Sequence, residues 1–266
     1  MVSNTFPIGF FDSGVGGTSI WKEVITLLPK EHTIYLSDSK NAPYGEKSKE
    51  EIIALCEKNI KFLLSKNCKL IVVACNTATT NAIDFLRSKY HIPFIGIEPA
   101  IKPAALSTQT NKIAILATKG TLNSALFEKT SSIIRKDIQI KETIGKGLVE
   151  LIEGGQLNSK EMTSLLSSYL EPMVASTIDS LVLGCTHYPY LIPQIREIVG
   201  PQIQIIDSGE AVAKQTKAIL NKHHLANNTK NKTPQHLIYT NKETAVLEDL
   251  LFNSMQQDIK IIKADF

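Results

Sequence analysis

The chain reads as an α/β protein made of two similar α/β domains with largely parallel sheets. Three observations carry this. Short β-rich apolar runs alternate with longer helical patterns along most of the 266 residues, as expected for strands joined by crossover helices. One run, Leu70-Ile71-Val72-Val73-Ala74, is apolar throughout, which suits a parallel strand covered on both faces. Residues 70–77 also have a counterpart at 180–187: each is an apolar run, a small residue, a cysteine and then polar groups. Such self-similarity indicates an internal duplication.

The elements follow in order. Strands are expected at 8–11, 33–36 and 70–74. A helix at 18–28 is stopped by Pro29, and a second spans 48–66. In the second helix Ser48 and Glu51 have capping-box spacing. Its residues Ile52, Leu55, Cys56, Ile60, Leu63 and Leu64 fall near helical spacing, which assigns Cys56 to the core. A helix ending near Tyr90 and a strand at 94–97 complete the first series. The second series has strands at 112–117, 181–183 and 203–206. Its helices are expected around 122–134, 148–152 and 158–176, with a proline-interrupted helix after 183 and a long helix at 208–226. The tail carries a strand at 237–239, a helix at 244–254 and a β-like segment at 259–262. These elements divide into one domain of residues 1–97 with 208–266 and another of 98–207. A pseudo-two-fold relates the two, and the site lies in the cleft between them, beyond the carboxyl ends of the strands.

Bulk properties narrow the function. The chain is 43% hydrophobic and 21% charged, with a formal net charge of +3, which is ordinary for a soluble globular protein. No basic run interleaves with aromatics, so nucleic acid is not suggested; the lysine-rich residues 227–232 read as a solvated loop. No apolar stretch is long enough to cross a bilayer, and residues 1–7 lack the layout of a signal peptide. The expected location is the cytoplasm, where thiols stay reduced. None of the four cysteines forms a C-x-x-C pair. Cys68 sits in a connection with no partner chemistry.

The remaining pair, Cys75 and Cys185, stands at equivalent points of the two similar segments. Asp12 precedes Cys75 by 63 residues and Thr118 precedes Cys185 by 67, each at the end of an earlier strand. Two thiols facing each other across a cleft have the geometry of a racemase: one takes a proton from one face of a carbon and the other returns a proton to the opposite face. A thiol must then be ionised, although free cysteine titrates near ~8.5. Both cysteines lie before an expected helix start, where N–H donors favour anions. Asn76 and Thr77 adjoin the first, Thr186 and His187 the second. His187 is a candidate proton partner or carboxylate donor, and Asp12 the matching group near Cys75 or an ammonium ligand. The turn Asp12-Ser13-Gly14-Val15-Gly16-Gly17 lacks the order of either nucleotide-binding glycine motif and reads as amides gathered around a small anion. Asp207-Ser208-Gly209 reads as a helix cap. Asn41-Ala42-Pro43-Tyr44-Gly45 is a loop of the kind that carries binding residues. Cys185 and His187 lack a second ligand pair for zinc. No lysine is marked for pyridoxal phosphate. The residues alone leave thiol chemistry beside a structural or metal explanation.

Four motifs together resemble the glutamate racemase family: residues 9–17, Asp38 through Pro43-Tyr44-Gly45, Ala74-Cys75-Asn76-Thr77-Ala78, and Leu183-Gly184-Cys185-Thr186-His187-Tyr188-Pro189. The wider aspartate/glutamate racemase superfamily shares the cysteines but not the whole set. The resemblance implies interconversion of L- and D-glutamate without cofactor or metal, supplying D-glutamate for peptidoglycan. It implies that Cys75 exchanges a proton with the D-enantiomer and Cys185 with the L-enantiomer, assisted by Asp12 and His187. The implied substrate-site residues are Asp12, Ser13, Pro43, Tyr44, Gly45, Asn76, Thr77, Thr186 and His187. Glu153 matches a family glutamate in place, but the Ala-Cys-Pro triplet that many members carry upstream is absent, which leaves its role open. The family is often dimeric, so a homodimer is expected. Two alternatives remain: a racemase of another amino acid such as aspartate, and an inactive thiol-bearing regulatory protein of the same fold. The tail beyond Ala226 carries no recognisable motif.

Overall fold

A computed structural model describes residues 3–134, 138–229, 233–252 and 259–266. Its strands form two sheets, parallel throughout. The first has strands β1 (Ile8–Asp12), β2 (Thr33–Ser37), β3 (Leu70–Val73), β4 (Phe94–Gly96), β9 (His236–Thr240) and β10 (Ile259–Lys263), in the order β10-β9-β2-β1-β3-β4. The second has β5 (Lys112–Ala117), β6 (Gln139–Ile144), β7 (Ser180–Gly184) and β8 (Gln204–Ile206), in the order β6-β5-β7-β8. Strands β2-β1-β3-β4 therefore match β6-β5-β7-β8 one for one. In both sheets the order reverses between the strand that ends at Asp12 or just before Thr118 and the strand that ends before a cysteine. Ligands bind at such switch points, where the flanking connections leave to opposite faces.

The strands carry one alternation. Ile8, Phe10, Leu70 and Val72 join the central core, while Phe11, Ile71 and Val73 face the outer one. In the second sheet Ala114, Leu116, Leu181 and Leu183 face the centre, while Ile113, Ile115 and Val182 face outward. Period two places successive side chains on opposite faces. The central core includes α1 (Thr18–Leu27) and α10 (Gly209–Lys222) from one side and α8 (Lys160–Ala175) and α9 (Ile192–Val199) from the other. It runs unbroken from one half to the other. The outer faces are covered by α2 (Lys49–Ser65) and α3 (Asn76–Lys89), and by α4 (Ile101–Ser107) and α6 (Ala125–Ser132). Helix α2 begins with the expected capping box between Ser48 and Glu51. Cys56 lies in the outer core. Cys68 lies there too, and burial pushes its thiol up to about 12.

Several expectations need correction. Helix α4 and strand β6 have no counterpart in the sequence reading. Strand β6 is a half-exposed edge with four polar residues of six, three of them consecutive, and α4 is short and contains Pro103. The helix expected at 122–134 is two, α5 (Lys119–Leu122) and α6, because Ser124 caps a new start by accepting from Phe127 N–H. Ser208 is not a side-chain cap: its hydroxyl donates to Glu98 O at 2.6 Å, and Asp207 accepts from Gly209 N–H at 2.7 Å instead. In the tail, α7 (Leu148–Glu153) having been reached earlier in the chain, the last helix is α11 (Ala245–Phe252); residues 253–254 of the expected helix lie outside the described residues, as do 1–2 of the N-terminal stretch and 230–232 of the lysine-rich one.

At the amino end of the first sheet, far from the cysteines in strand direction, Lys69 is buried. Its Nζ donates to Glu31 Oε2 and to Asn4 O, both at 2.5 Å, while Glu31 Oε1 accepts from Asn227 N–H at 2.8 Å. Removing one member of such a pair leaves the other charge uncompensated. Glu31→Ala should destabilise the protein by about 3–5 kcal/mol in urea unfolding, and the Glu31→Leu/Lys69→Met double variant by much less.

Candidate active site

Both thiols open onto one small cavity at the seam between the sheets. Its walls include Ser13, Pro43, Tyr44, Gly45, Cys75, Asn76, Thr77, Cys185, Thr186 and His187, all named by the sequence. Thr118 and Val149 also line it. Thr118 had been placed only as the counterpart of Asp12, and Val149 carried no signal beyond apolarity.

Cys75 follows β3 and is the N-cap of α3. Its sulfur accepts from Ala78 N–H at 3.4 Å and lies 3.8 Å from Ser13 Oγ. Burial pushes this thiol well up, and the neighbouring Asp12 carboxylate pushes it further, against the Ala78 and Ser13 N–H groups. Both effects favour the protonated thiol. Asp12 is wholly buried. Burial raises its carboxyl too, against the pull of His187 and of the Gly17 N–H.

Cys185 follows β7, but no α-helix starts directly after it. With Pro189 and Pro193 in the segment, a 3₁₀ turn at Tyr188–Leu191 intervenes before α9. The charge near this sulfur comes from His187, whose Nδ1 is 3.7 Å from Cys185 Sγ and whose Nε2 is 2.6 Å from Glu153 Oε1. Burial opposes a charge on this ring, but Cys185 and Glu153 outweigh it and hold His187 well above its ordinary range. Gly16 N also lies 3.2 Å from the same Nε2. One nitrogen cannot donate to Glu153 and accept from Gly16. The shorter contact, between groups of opposite charge, decides the assignment.

Glu153, left open by the sequence, is 7% exposed and does not line the cavity. It sits behind His187. Its Oε1 also accepts from Val15 N–H at 2.6 Å and its Oε2 from Ser39 Oγ at 2.7 Å. Burial would raise this carboxyl, yet His187, Ser39 and the Val15 N–H together hold it below the usual range. The glycine-rich turn thus differs from its expected use. Its amides serve the protein's own carboxylates: Gly14 and Gly17 N–H donate to Asp12, at 3.3 and 2.8 Å, and Val15 N–H to Glu153. A Cβ on Gly14 would stand 1.9 Å from Glu153 Oε1, and one on Gly16 2.2 Å from His187 Nδ1. The turn and the His187 pair fit only without those side chains.

The remaining wall comes from loops. Tyr44 Oη donates to Asp38 Oδ2 at 2.5 Å and accepts from Asn59 Nδ2. Thr77 Oγ1 is 2.8 Å from Thr118 Oγ1 and 3.2 Å from Thr121 Oγ1, joining the two halves across the seam. Asn76 Oδ1 is buried with no hydrogen-bond partner among the described residues, an acceptor unsatisfied until something donates to it.

The raised pKa of His187 has a measurable consequence. Its charge stabilises the fold below its unfolded value near 6.5, and that contribution is lost as pH rises through the folded value. In Glu153→Gln the anion behind the ring is gone and burial takes over. NMR titration of the ring should show His187 losing its proton at lower pH than in the wild type, with less stability lost on the alkaline side.

Comparison with known proteins agrees with this arrangement. The family described as Asp/Glu/hydantoin racemase matches residues 16–216. A glutamate racemase of Herpetosiphon aurantiacus is 45% identical over 80% of this chain and 84% of its own length. Another, of Cupriavidus pinatubonensis, is 41% identical over 93% and 90%. Among solved structures, a glutamate racemase isoform of Bacillus anthracis superposes with a TM-score of 0.86 at 31% identity, covering 98% of this chain and 97% of that one. The Francisella tularensis glutamate racemase, solved in complex with D-glutamate, gives 0.82 at 29% identity, covering 98% of each. With its paired thiols, its two parallel sheets and these relatives, the chain belongs to the Asp/Glu/hydantoin racemase family, among the glutamate racemases.

Proposed function

We propose that Cys75 and Cys185 racemise glutamate by transferring a proton to and from its α-carbon. The observation that carries this is the meeting of one thiol from each half in a single cavity, with opposite charges behind them: the Asp12 carboxyl behind Cys75 and the His187 imidazolium beside Cys185. In the direction starting from L-glutamate, the Cys185 thiolate takes the α-proton and becomes a thiol. The α-carbon turns planar, and its electron pair spreads into the adjacent carboxylate. The Cys75 thiol then gives its proton to the other face and becomes a thiolate. D-glutamate leaves, and the reverse reaction starts from that second state. His187, held charged by Glu153, stabilises the Cys185 thiolate, and Asp12 assists at Cys75.

The substrate's polar groups would be met by the walls. The unpartnered Asn76 Oδ1 suits the ammonium. The hydroxyls of Ser13, Thr77 and Thr186 suit the carboxylates, with Pro43, Tyr44 and Gly45 closing the cavity over them. Amide and hydroxyl dipoles fixed in a small enclosed space stabilise developing charge without having to reorganise. In this reading residues 1–97 with 208–266 and residues 98–207 form two domains that part to admit substrate. The product is D-glutamate for peptidoglycan, made in the cytoplasm by a homodimer.

The test is solvent deuterium incorporation at Cα, with glutamate and aspartate side by side. Exchange into glutamate is expected in both directions; none with glutamate, or a preference for aspartate, would sink the assignment. Cys75→Ser and Cys185→Ser should each abolish racemisation, whereas a thiol-bearing binding protein would tolerate both. Near-normal turnover in either variant would refute the two-thiol scheme.

A further inference from the structure

The C-terminal tail is absent from every motif that carries the family resemblance, yet it reaches the loop that walls the cavity. Strand β9 pairs with β2 in register, Ser37 opposite Thr240. Asn241 therefore emerges beside Asp38. Its Nδ2 donates to Asp38 Oδ1 at 2.5 Å, and its Oδ1 accepts from Lys40 N–H at 2.8 Å. One amide thus holds a side chain and the backbone of the same short turn.

That turn has two outputs. Asp38, only 1% exposed, accepts the Tyr44 hydroxyl on its other oxygen. Asn41 Nδ2 also donates to Asp38 Oδ1, at 2.7 Å. Tyr44 and Gly45 then line the cavity. Between them Ser39 donates to Glu153 Oε2. The same few residues therefore set one wall of the cavity and one support of the Glu153–His187 pair.

We propose that Asn241 is a positioning residue for substrate binding: its side-chain amide clamps the turn at residues 38–41 and through it sets Tyr44, Gly45 and Ser39. The inference rests on the glutamate-binding reading of the cavity. It gives the tail a role in the reaction beyond adding two strands. A loop anchored by charge-assisted bonds needs no ordering when substrate arrives; without the anchor, that ordering is taken from binding energy.

The test is steady-state kinetics in both directions on Asn241→Ala and Asn241→Asp, with melting curves. In Asn241→Ala, KM for both enantiomers should rise about tenfold, with a smaller fall in kcat through the Ser39 support of Glu153. Asn241→Asp keeps the shape but sets a second carboxylate against Asp38, so its KM should rise further. Asn241→Ser retains a donor and should fall between wild type and alanine; it also serves if the alanine variant does not fold. Lys242→Ala, an exposed neighbour, should change neither constant. A tail residue of purely structural importance would lower the melting temperature and the active fraction, and so kcat, with KM unchanged. That pattern, or wild-type KM in a folded Asn241→Asp or Asn241→Ser protein, overturns the proposal. Deuterium exchange into glutamate by the wild type, run in parallel, reports separately on the two-thiol reading.

Discussion

Glu153 is where the separate parts of the molecule are tied together. A carboxylate this deeply buried is tolerated only with its oxygens occupied and its charge opposed. The partners come from three places: the backbone of the turn after β1, the hydroxyl of Ser39 after β2, and the ring of His187 after β7. Two belong to the first sheet's connections and one to the second's, while Glu153 itself ends α7. Meeting the needs of one anion therefore brings the loops of both sheets together. The glycines of the turn follow from this, since side chains at Gly14 or Gly16 would occupy the space of Glu153 or His187.

The backbone repeats, but the charges do not. Four strands of the first sheet correspond to the four of the second, and each cysteine follows the strand next to the one that opens its half. At the end of β1 stands Asp12; at the end of β5 stands Thr118, which engages Thr77 and Thr121 rather than a thiol. On the second side a histidine two residues past the cysteine supplies a positive charge. One sulfur is thereby kept in an anionic, desolvated setting and the other beside a cation. In two-base proton transfer one thiol holds a proton while the other lacks it, and the two exchange these states with each turnover. A duplicated fold supplies the facing geometry, and departure from the duplication at a few side chains gives each thiol its own charged neighbour.

The sequence was most legible where a local rule governs. The capping box at Ser48 and Glu51, the apolar β3, and the two strand-then-cysteine segments all depend on neighbours within a few residues. Strand β6 and helix α4 lacked such signals: one is an edge with a polar face, the other is short and contains a proline. Ser208 had the residue type of a cap but spends its hydroxyl on Glu98 O, a partner 110 residues away in the chain. The cysteines, Asn76, Thr77, Thr186 and His187 stood out through their motifs. Thr118, Ser39 and Asn241 did not, because each is an ordinary polar residue whose importance lies in what it faces.

The sequence by itself therefore determined the fold class, the duplication and the pair of thiols, since strand patterns and strand-end motifs are written in short stretches of chain. Only the tertiary structure decided the charged neighbour of each thiol, the place of Glu153 behind His187 and the reach of the tail to Asp38. These depend on burial and on contacts between residues far apart in the chain. Electrostatic interactions strengthen as water is excluded, so they take effect only once the chain has closed around them.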